Sequence, residues 1–508
     1  MAPTTESATP IESSISIDHE EVEASDQISV ASEAASEMEP FEDYKPKIQK
    51  LLQDLKFPEC SIESLQHGYQ FQNCVYAITS LSEPTERYII RVPACFDKEY
   101  DERCPEIEDG VCVLNHLRDK LPVAKTKTFS ATPDNSLERP YAIQTRLEGQ
   151  SLNHVYSSLD CAERRRMIDE YIDLLVKLES IQLPTAGSLV APNPLPTNLE
   201  NSSNIPAPSI RIFNGYDTDP IEDPQTLTDR AGSDIKRLFE SLIAKYIASD
   251  LQSVADGYNG FRLPYWRRMQ TMLDQMHQES FFRPEPEPIV MHHWDLEARN
   301  IMVSQTPSGE WKITGVIDWD EAVCLPRPLA RKPPAWFWTW TDNDDDTSSG
   351  ESDCDLYPDR ELSDKQAELK AYFDARVEEV LPGYGEDAYG SGRLLRRLWV
   401  FIQDGLSKQW TIEPCAIEPC EQLLAEWERR SRDRDVPLPS EIKTREHVTD
   451  DPIPNENENA AAEPLGTEPS SSEQSQPENP EPKQPDGKLS QAFKRGWKKA
   501  LAWVSVRL

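Results

Sequence analysis

Two neighbouring segments of the chain read HWDLEARNIMV at residues 293–303 and GVIDWD at residues 315–320. The stretch between them is rich in Pro, Gly and Ser, as expected for a turn that joins two apolar strands into a hairpin. Pairing of the strands would bring their polar ends together. The pattern therefore predicts that Asp295, Asn300 and Asp318 converge at one end of the hairpin.

Two carboxylates and one amide in this arrangement suit the transfer of a phosphoryl group. The reaction needs Mg²⁺ between phosphate oxygens and an acceptor hydroxyl held in line. Mg²⁺ prefers hard oxygen ligands and keeps several waters, so one amide oxygen and one carboxylate suffice. The adjacent His292 and His293 do not suit zinc, because neighbouring side chains point apart and no Cys or His partner lies at ligand spacing.

The pattern His-x-Asp-x-x-x-x-Asn, followed by an apolar strand ending in Asp-Trp, resembles the aminoglycoside phosphotransferase and choline kinase-like family, and within it the large fungal subset. The resemblance implies an α+β, bilobal, protein-kinase-like fold with a small antiparallel-sheet N-lobe and a larger, mainly helical C-lobe. It implies that Asp295 is the catalytic base or orients the acceptor, and that His293 braces the catalytic loop. It makes Asn300 and Asp318 the Mg²⁺ ligands. We interpret Asp320 as an exposed loop acid, with a second metal contact as the alternative.

Candidates for nucleotide binding lie in the N-terminal half. Residues 62–78 read as two strands joined at Gly68, which suits a hairpin over phosphates but also an ordinary surface hairpin. The resemblance assigns Gly68 and Asn73 to the phosphate loop. It also places Arg91 where the family usually has a lysine. A guanidinium can bind two phosphate oxygens, although a plain surface arginine is the alternative.

In the resembled family, the cation pairs with a glutamate of the following helix. Here the aligned position is Gly110, which leaves Glu106 or Glu108 as the substitute, and we assign Glu108 to the nucleotide site. The segment between the lobes resembles the family's hinge. The resemblance implies that backbone groups near Thr145 and Leu147 meet the adenine of ATP.

The charge of the chain is distributed unevenly. Its 53 Lys and Arg against 90 Asp and Glu give a net charge of −37, most of it in both tails and in residues 342–361. The tails are also poor in apolar residues and are predicted to be disordered. The predicted organisation is a disordered acidic tail (1–43), an N-lobe (44–147), a C-lobe (148–439) with insertions at 192–225 and 341–364, a disordered acidic linker (440–486) and a basic amphipathic helix (487–508).

Composition also limits partners and location. The body has no basic stripe that could neutralise phosphates, which argues against nucleic acid as a partner. Ten Cys without a Cys-x-x-Cys pair, and an N-terminus without an apolar signal region, predict a cytoplasmic, reducing environment. Residues 487–508 contain six basic residues, and on a helical wheel the four lysines and Arg495 face away from the apolar residues. The pattern is typical of a helix that docks on a membrane surface or a partner protein, with docking on the protein's own acidic surface as the alternative.

The predicted function is an ATP- and Mg²⁺-dependent phosphotransferase acting on a hydroxyl of a small molecule. The Gly-x-Gly-x-x-Gly, His-Arg-Asp, Asp-Phe-Gly and Ala-Pro-Glu signatures of protein kinases are missing, which disfavours a protein substrate. The aromatic residues 336–340 are interpreted as core, with a wall for a cationic or sugar-like acceptor as the alternative. The competing hypothesis is a non-catalytic pseudokinase that binds partners through its tails. Arg91 and Gly110 favour that hypothesis, whereas the complete set of Asp295, Asn300 and Asp318 opposes it.

Overall fold

The computed structural model describes residues 39–432 with the exception of residues 69–71, 95, 97–101, 193–194, 196–204, 212, 214–233, 256–259, 321, 341–360 and 407–413. The predicted helix at 487–508, the linker at 440–486 and most of both predicted insertions therefore lie outside the described residues. So does the predicted acidic tail up to residue 38. Its last three residues belong to a helix that begins at Phe41.

The N-lobe is a five-stranded antiparallel sheet in the order β1-β2-β3-β5-β4, with one helix on each face. Adjacent residues of a strand point to opposite faces. Accordingly, Ile143 packs with Ile48 of the first helix, whereas Ala142 packs with Val111 of the second. The elements are α1 Phe41–Asp54, β1 Cys60–Gln66, β2 Asn73–Ser80, β3 Arg87–Pro93, α2 Pro105–Leu117, β4 Thr126–Ser130 and β5 Tyr141–Thr145.

The C-lobe is mainly helical, with two small antiparallel sheets ordered β7-β10-β13-β8-β9 and β12-β11-β6. Its elements are β6 Gln150–Ser151, α3 Cys161–Ser180, β7 Gln182–Leu183, β8 Gly187–Val190, β9 Ser209–Arg211, α4 Ile235–Ala255, α5 Leu263–Gln278, β10 Ile289–His292, β11 Ile301–Gln305, β12 Trp311–Val316, β13 Val323–Pro326, α6 Arg327–Ala330, α7 Trp336–Thr339, α8 Asp364–Val380, α9 Tyr384–Tyr389, α10 Ser391–Asp404 and α11 Pro414–Arg432.

The predicted hairpin is formed by β11 and β12, which pair in antiparallel register with Ile301 opposite Val316. Strand β6, at the start of the C-lobe, adds to the other edge of β11. Gly149 immediately precedes β6 and has φ +94°, and a Cβ there would lie 2.0 Å from the carbonyl oxygen of Val303. Only glycine fits this close approach, so the chain can pass from the N-lobe directly onto the β11–β12 hairpin.

The aromatic stretch after β13 is part of the core. Trp336, Phe337 and Trp338 are buried, and the Phe337 ring packs edge-to-face against Tyr156 and Tyr171. The interpretation of this stretch as core is confirmed. No helix of the described residues is both long and apolar enough to cross a membrane.

The architecture is thus a mixed α+β fold with an antiparallel sheet in its N-terminal part and helices dominating its C-terminal part. The predicted fold class is confirmed in these features. Apolar residues at helical spacing in Asp160–Ile181 predict a helix. The helix is present as α3, which begins with a capping box made by Asp160 and Glu163.

Candidate active site

The loop after β10 is held together by hydrogen bonds within a few residues. The side-chain amide nitrogen of Asn300 donates to the main-chain oxygen of Asp295 and to its carboxylate Oδ2, both at 2.9 Å. These bonds fix the Asp295 carboxylate and direct the amide nitrogen of Asn300 towards Asp295. The amide oxygen of Asn300 points the other way and is the atom that can act as a metal ligand.

Arg299 is a residue of this loop that the sequence analysis missed. Its Nη2 donates to both carboxylate oxygens of Asp295, at 2.6 and 2.7 Å. The acid and the arginine are four positions apart, but they lie in a turn and not on an α-helix. Because the four-residue spacing favours ion pairs on helices, it gave no clear signal here. Asp295 contacts a cation through both of its carboxylate oxygens.

His293 is buried and connects the two segments of the motif. The main-chain N–H of Asp295 donates to Nδ1 at 3.2 Å, so Nδ1 is the acceptor and Nε2 carries the proton that bonds Ile317 oxygen at 2.9 Å. Burial lowers the pKa of His293, which favours this neutral tautomer. The ring also packs edge-to-face on Trp319. This geometry supports the predicted bracing role.

Asp318 follows β12 next to the loop that carries Asp295, and the N–H of the preceding Ile317 donates to the main-chain oxygen of Asn300 at 2.9 Å. Its φ of +66° lies in the left-handed region, which Asp tolerates better than most residues. Partial burial raises the pKa of Asp318. The neighbouring carboxylate of Asp320 raises it further, against the opposing effect of Arg91.

Arg91 of β3 reaches across to the loop after β12. Its Nη1 donates to Asp320 Oδ1 at 2.9 Å, its Nη2 donates to Asp320 Oδ2, and Nη2 lies 3.7 Å from Asp318 Oδ1. Asn73, at the start of β2, also donates to Asp320 Oδ2, at 3.2 Å. The interpretation of Asp320 as an exposed loop acid is wrong, because its carboxylate is largely enclosed by these donors. Burial alone would lower the pKa of Arg91, but Asp320 and Asp318 outweigh it and raise it.

Glu108 is not the partner of Arg91. Its carboxylate accepts hydrogen bonds from Arg103, with Nε at 2.9 Å, and from the main-chain N–H of Leu195 at 2.6 Å. Residues two positions apart on a helix point in nearly opposite directions, so Glu108 faces away while Gly110 faces Asp320. A Cβ at Gly110 would lie 3.4 Å from Asp320 Oδ1. The prediction that Glu108 replaces the family's helix glutamate as the partner of Arg91 is therefore wrong.

The sequence model of the phosphotransferase enzyme family matches residues 61–327, a little more than half of the chain. The chain belongs to the phosphotransferase enzyme family. The matched residues include Arg91 with its partners Asn73 and Asp320, which we call the Arg91 cluster. They also include the loop of Asp295 and Asn300, which we call the Asp295 loop. The predicted recognition and the prediction of an enzyme of the small-molecule kinase type are confirmed at the level of the family, and the identity of the substrate stays unknown. No protein with a curated description matches the sequence.

Solved structures similar to this phosphotransferase include several aminoglycoside phosphotransferases. A thermostable mutant of APH(4)-Ia with AMP-PNP and hygromycin B has 16% identity and a TM-score of 0.39, with 75% of this chain and 98% of that chain covered. ADP-bound APH(2'')-Ib has 12% identity and a TM-score of 0.38, covering 75% and 96%. The streptomycin and ATP complex of APH(2'')-IIa has 11% identity and a TM-score of 0.39, covering 77% and 99%.

Three other predicted nucleotide-binding residues of the phosphotransferase have different surroundings. Gly68 follows β1 with φ +119°, and residues 69–71 after it lie outside the described part. The N–H of Thr145 already donates to Lys125 oxygen at 2.9 Å, so it is committed to the N-lobe. Leu147 packs across β12, since a Cβ at Gly315 would lie 2.4 Å from Leu147 Cδ1. Leu147 therefore stays the hinge candidate that adjoins the β11–β12 hairpin.

Proposed function

We propose that this phosphotransferase transfers the γ-phosphoryl group of ATP, with Mg²⁺, to a hydroxyl of a small molecule. Asp295 orients the acceptor hydroxyl and takes its proton. Asn300 and Asp318 are the protein ligands of Mg²⁺. Arg91 holds phosphate oxygens of the nucleotide, and backbone groups near Leu147 hold the adenine.

One observation carries this proposal. Asp295, Asn300 and the residue before Asp318 are connected by hydrogen bonds of 2.9 Å, although they come from two segments of the chain. The cation of Arg91 lies 3.7 Å from Asp318 on the N-lobe side. A hydroxyl-directing carboxylate, two oxygen ligands and a phosphate-binding cation are the groups that phosphoryl transfer needs from a protein.

The donor set fits Mg²⁺. Partial burial and then the negative charge of Asp320 raise the pKa of the Asp318 carboxyl group. A divalent cation would offset the negative charge of these two neighbouring carboxylates. The described residues contain no group of three His, Cys, Asp or Glu suited to a metal, so phosphate oxygens and water would complete the coordination. When bound, Mg²⁺ neutralises charge that develops on the phosphates.

The acceptor must approach an aspartate that is already paired. Arg299 holds both carboxylate oxygens of Asp295, and Asn300 holds one of them. An incoming hydroxyl therefore either shares Oδ1 of Asp295 with Arg299 or displaces the Arg299 side chain. Because the Arg299 side chain is 44% exposed, it can move away without losing a buried environment.

The test is a screen of metabolites for ATP-dependent phosphorylation by the full chain, with Asp295→Asn as the blank. We expect at least one hydroxyl compound to be phosphorylated by the wild type and about 10²- to 10⁴-fold more slowly by the variant, which lacks the base. Unfolding temperature is measured in parallel with ATP, with and without Mg²⁺. If ATP does not change the unfolding temperature of the wild type at any Mg²⁺ concentration, the proposal is contradicted.

A further inference from the structure

We propose that Asp320 anchors Arg91 in the place that a helix acid would otherwise fill, and that it thereby holds Arg91 off the metal ligand Asp318. The inference rests on the proposed function, since it assigns a positioning role within the nucleotide site. It makes the loop after β12 carry both the metal ligand and the anchor of the phosphate-binding cation.

The contacts of Arg91 with its two neighbouring carboxylates are unequal. Asp320 receives hydrogen bonds from both Nη atoms, whereas Asp318 is approached by one of them at 3.7 Å, beyond hydrogen-bond distance. A bidentate guanidinium–carboxylate pair fixes the orientation as well as the position of the cation. The side chains of Arg91 and Asp320 are 15% and 23% exposed, so solvent screens the pair only in part.

Asn73 adds a third donor to the same carboxylate. Its amide nitrogen lies 3.2 Å from Asp320 Oδ2, and Asn73 begins β2, the strand that pairs with β3 beside Arg91. Asp320 thus contacts two adjacent strands of the N-lobe at once. This contact connects the N-lobe sheet to the loop that carries Asp318.

Gly110 explains why the anchor can come from residue 320. A Cβ at this position would lie 3.4 Å from Asp320 Oδ1, within van der Waals contact. A glutamate extends two further carbon atoms, which would carry its carboxylate into the space that Asp320 fills. A helix acid and Asp320 therefore exclude each other, and glycine at 110 is the complement of aspartate at 320.

Removal of the anchor should have a specific consequence. Without Asp320, Asp318 is the carboxylate left beside Arg91, and the cation is expected to close the 3.7 Å gap and form an ion pair with it. The arginine then leaves the position where it meets phosphate and occupies an oxygen that Mg²⁺ needs. Nucleotide affinity should fall and the Mg²⁺ requirement should rise together.

The experiment compares the full-length wild type with Asp320→Ala, with Gly110→Glu/Asp320→Ala, and with a control, Asp119→Ala. Asp119 follows α2, and its side chain is 84% exposed. The dissociation constant of ATP and the Mg²⁺ concentration for half-maximal ATP binding are measured by calorimetry. For Asp320→Ala we expect both to rise by about tenfold or more. The double variant should recover most of the loss, and the control should match the wild type.

The outcomes separate this inference from the function on which it rests. If the wild type does not bind ATP with Mg²⁺, the proposed function fails and the inference fails with it. If the wild type binds and folded Asp320→Ala binds equally well, the inference alone is overturned. Failure of the double variant to recover, with its unfolding temperature at the wild-type value, would overturn the replacement of a helix acid by Asp320. If Asp320→Ala does not fold, the isosteric Asp320→Asn is expected to show the same losses.

Discussion

The Asp295 loop and the Arg91 cluster lie on either side of Asp318 but are assembled in different ways. In the loop, Arg299 and Asn300 lie four and five positions after Asp295, and both donate hydrogen bonds to its carboxylate. In the cluster, Arg91 and Asp320 are 229 positions apart, and the residue that makes room for them belongs to a third element. The loop is thus specified by local sequence, and the cluster by the packing of two lobes.

This difference has an energetic consequence. The loop retains its hydrogen bonds wherever the N-lobe lies, because all of its partners move with it. The cluster exists only while β3 and the loop after β12 are held together, so its pairs contribute to the placement of the lobes as well as to binding. Substitutions in the loop should therefore act mainly on turnover, and substitutions in the cluster mainly on nucleotide affinity.

The largest effect is expected for Asp318→Asn, because Asp318 adjoins both regions. The change removes the ligand charge while keeping a residue that tolerates φ +66°, so the fold should persist. We expect kcat/KM to fall by about a thousandfold, comparable to the loss of a preorganised electrostatic group. Steady-state kinetics and circular dichroism measure the two properties. Activity within tenfold of the wild type would remove Asp318 from the site.

A smaller effect, confined to binding, is expected for Arg91→Lys. The ammonium keeps the charge but cannot form the two parallel bonds to Asp320, so the cation loses its fixed orientation. We expect KM for ATP to rise by about tenfold with kcat nearly unchanged, as for a weakened ground-state contact. Kinetics at varied ATP test this split. A fall in kcat at constant KM would show that Arg91 acts on turnover, and the contrast between the two regions would be lost.

The same contrast decides what the sequence could predict. The β11–β12 hairpin, α3 and the approach of Asn300 to Asp295 follow from strand alternation, helical spacing and a motif of eight residues, which are local properties. The role of Asp320 does not follow from local sequence, because its partners Asn73 and Arg91 lie on β2 and β3. It also depends on the absence of a side chain at Gly110. Register places Gly110 at the position of the family's glutamate and leaves Glu106 or Glu108 as the substitute, of which we assign Glu108. The helix in fact turns that residue towards Arg103 and the segment at Leu195.

Within the loop, Arg299→Gln should have a modest effect on turnover. Asn300 still holds Oδ2 of Asp295 after the change, whereas Oδ1 loses the guanidinium that orients it. We expect kcat to fall by roughly threefold to tenfold, the order expected for one charge-assisted hydrogen bond. Arg299→Lys is the matched control and should keep most of the activity, since an ammonium can bind the same oxygen. If Arg299→Gln turns over as fast as the wild type, Arg299 only offsets the charge of Asp295 before the acceptor binds.

The smallest effect on activity is expected for Glu108→Gln, which tests whether the acid two positions before Gly110 serves structure alone. Its carboxylate is 5% exposed and accepts from Arg103 and from the Leu195 N–H, so an amide leaves one buried donor poorly paired. The free energy of unfolding should fall by about 1–3 kcal/mol, as measured by urea denaturation. ATP affinity should equal that of the wild type, because α2 turns this residue away from Asp320. A folded Glu108→Gln variant with tenfold weaker ATP binding would mean that the helix acid reaches the nucleotide after all, and that the Arg91 cluster has two anchors.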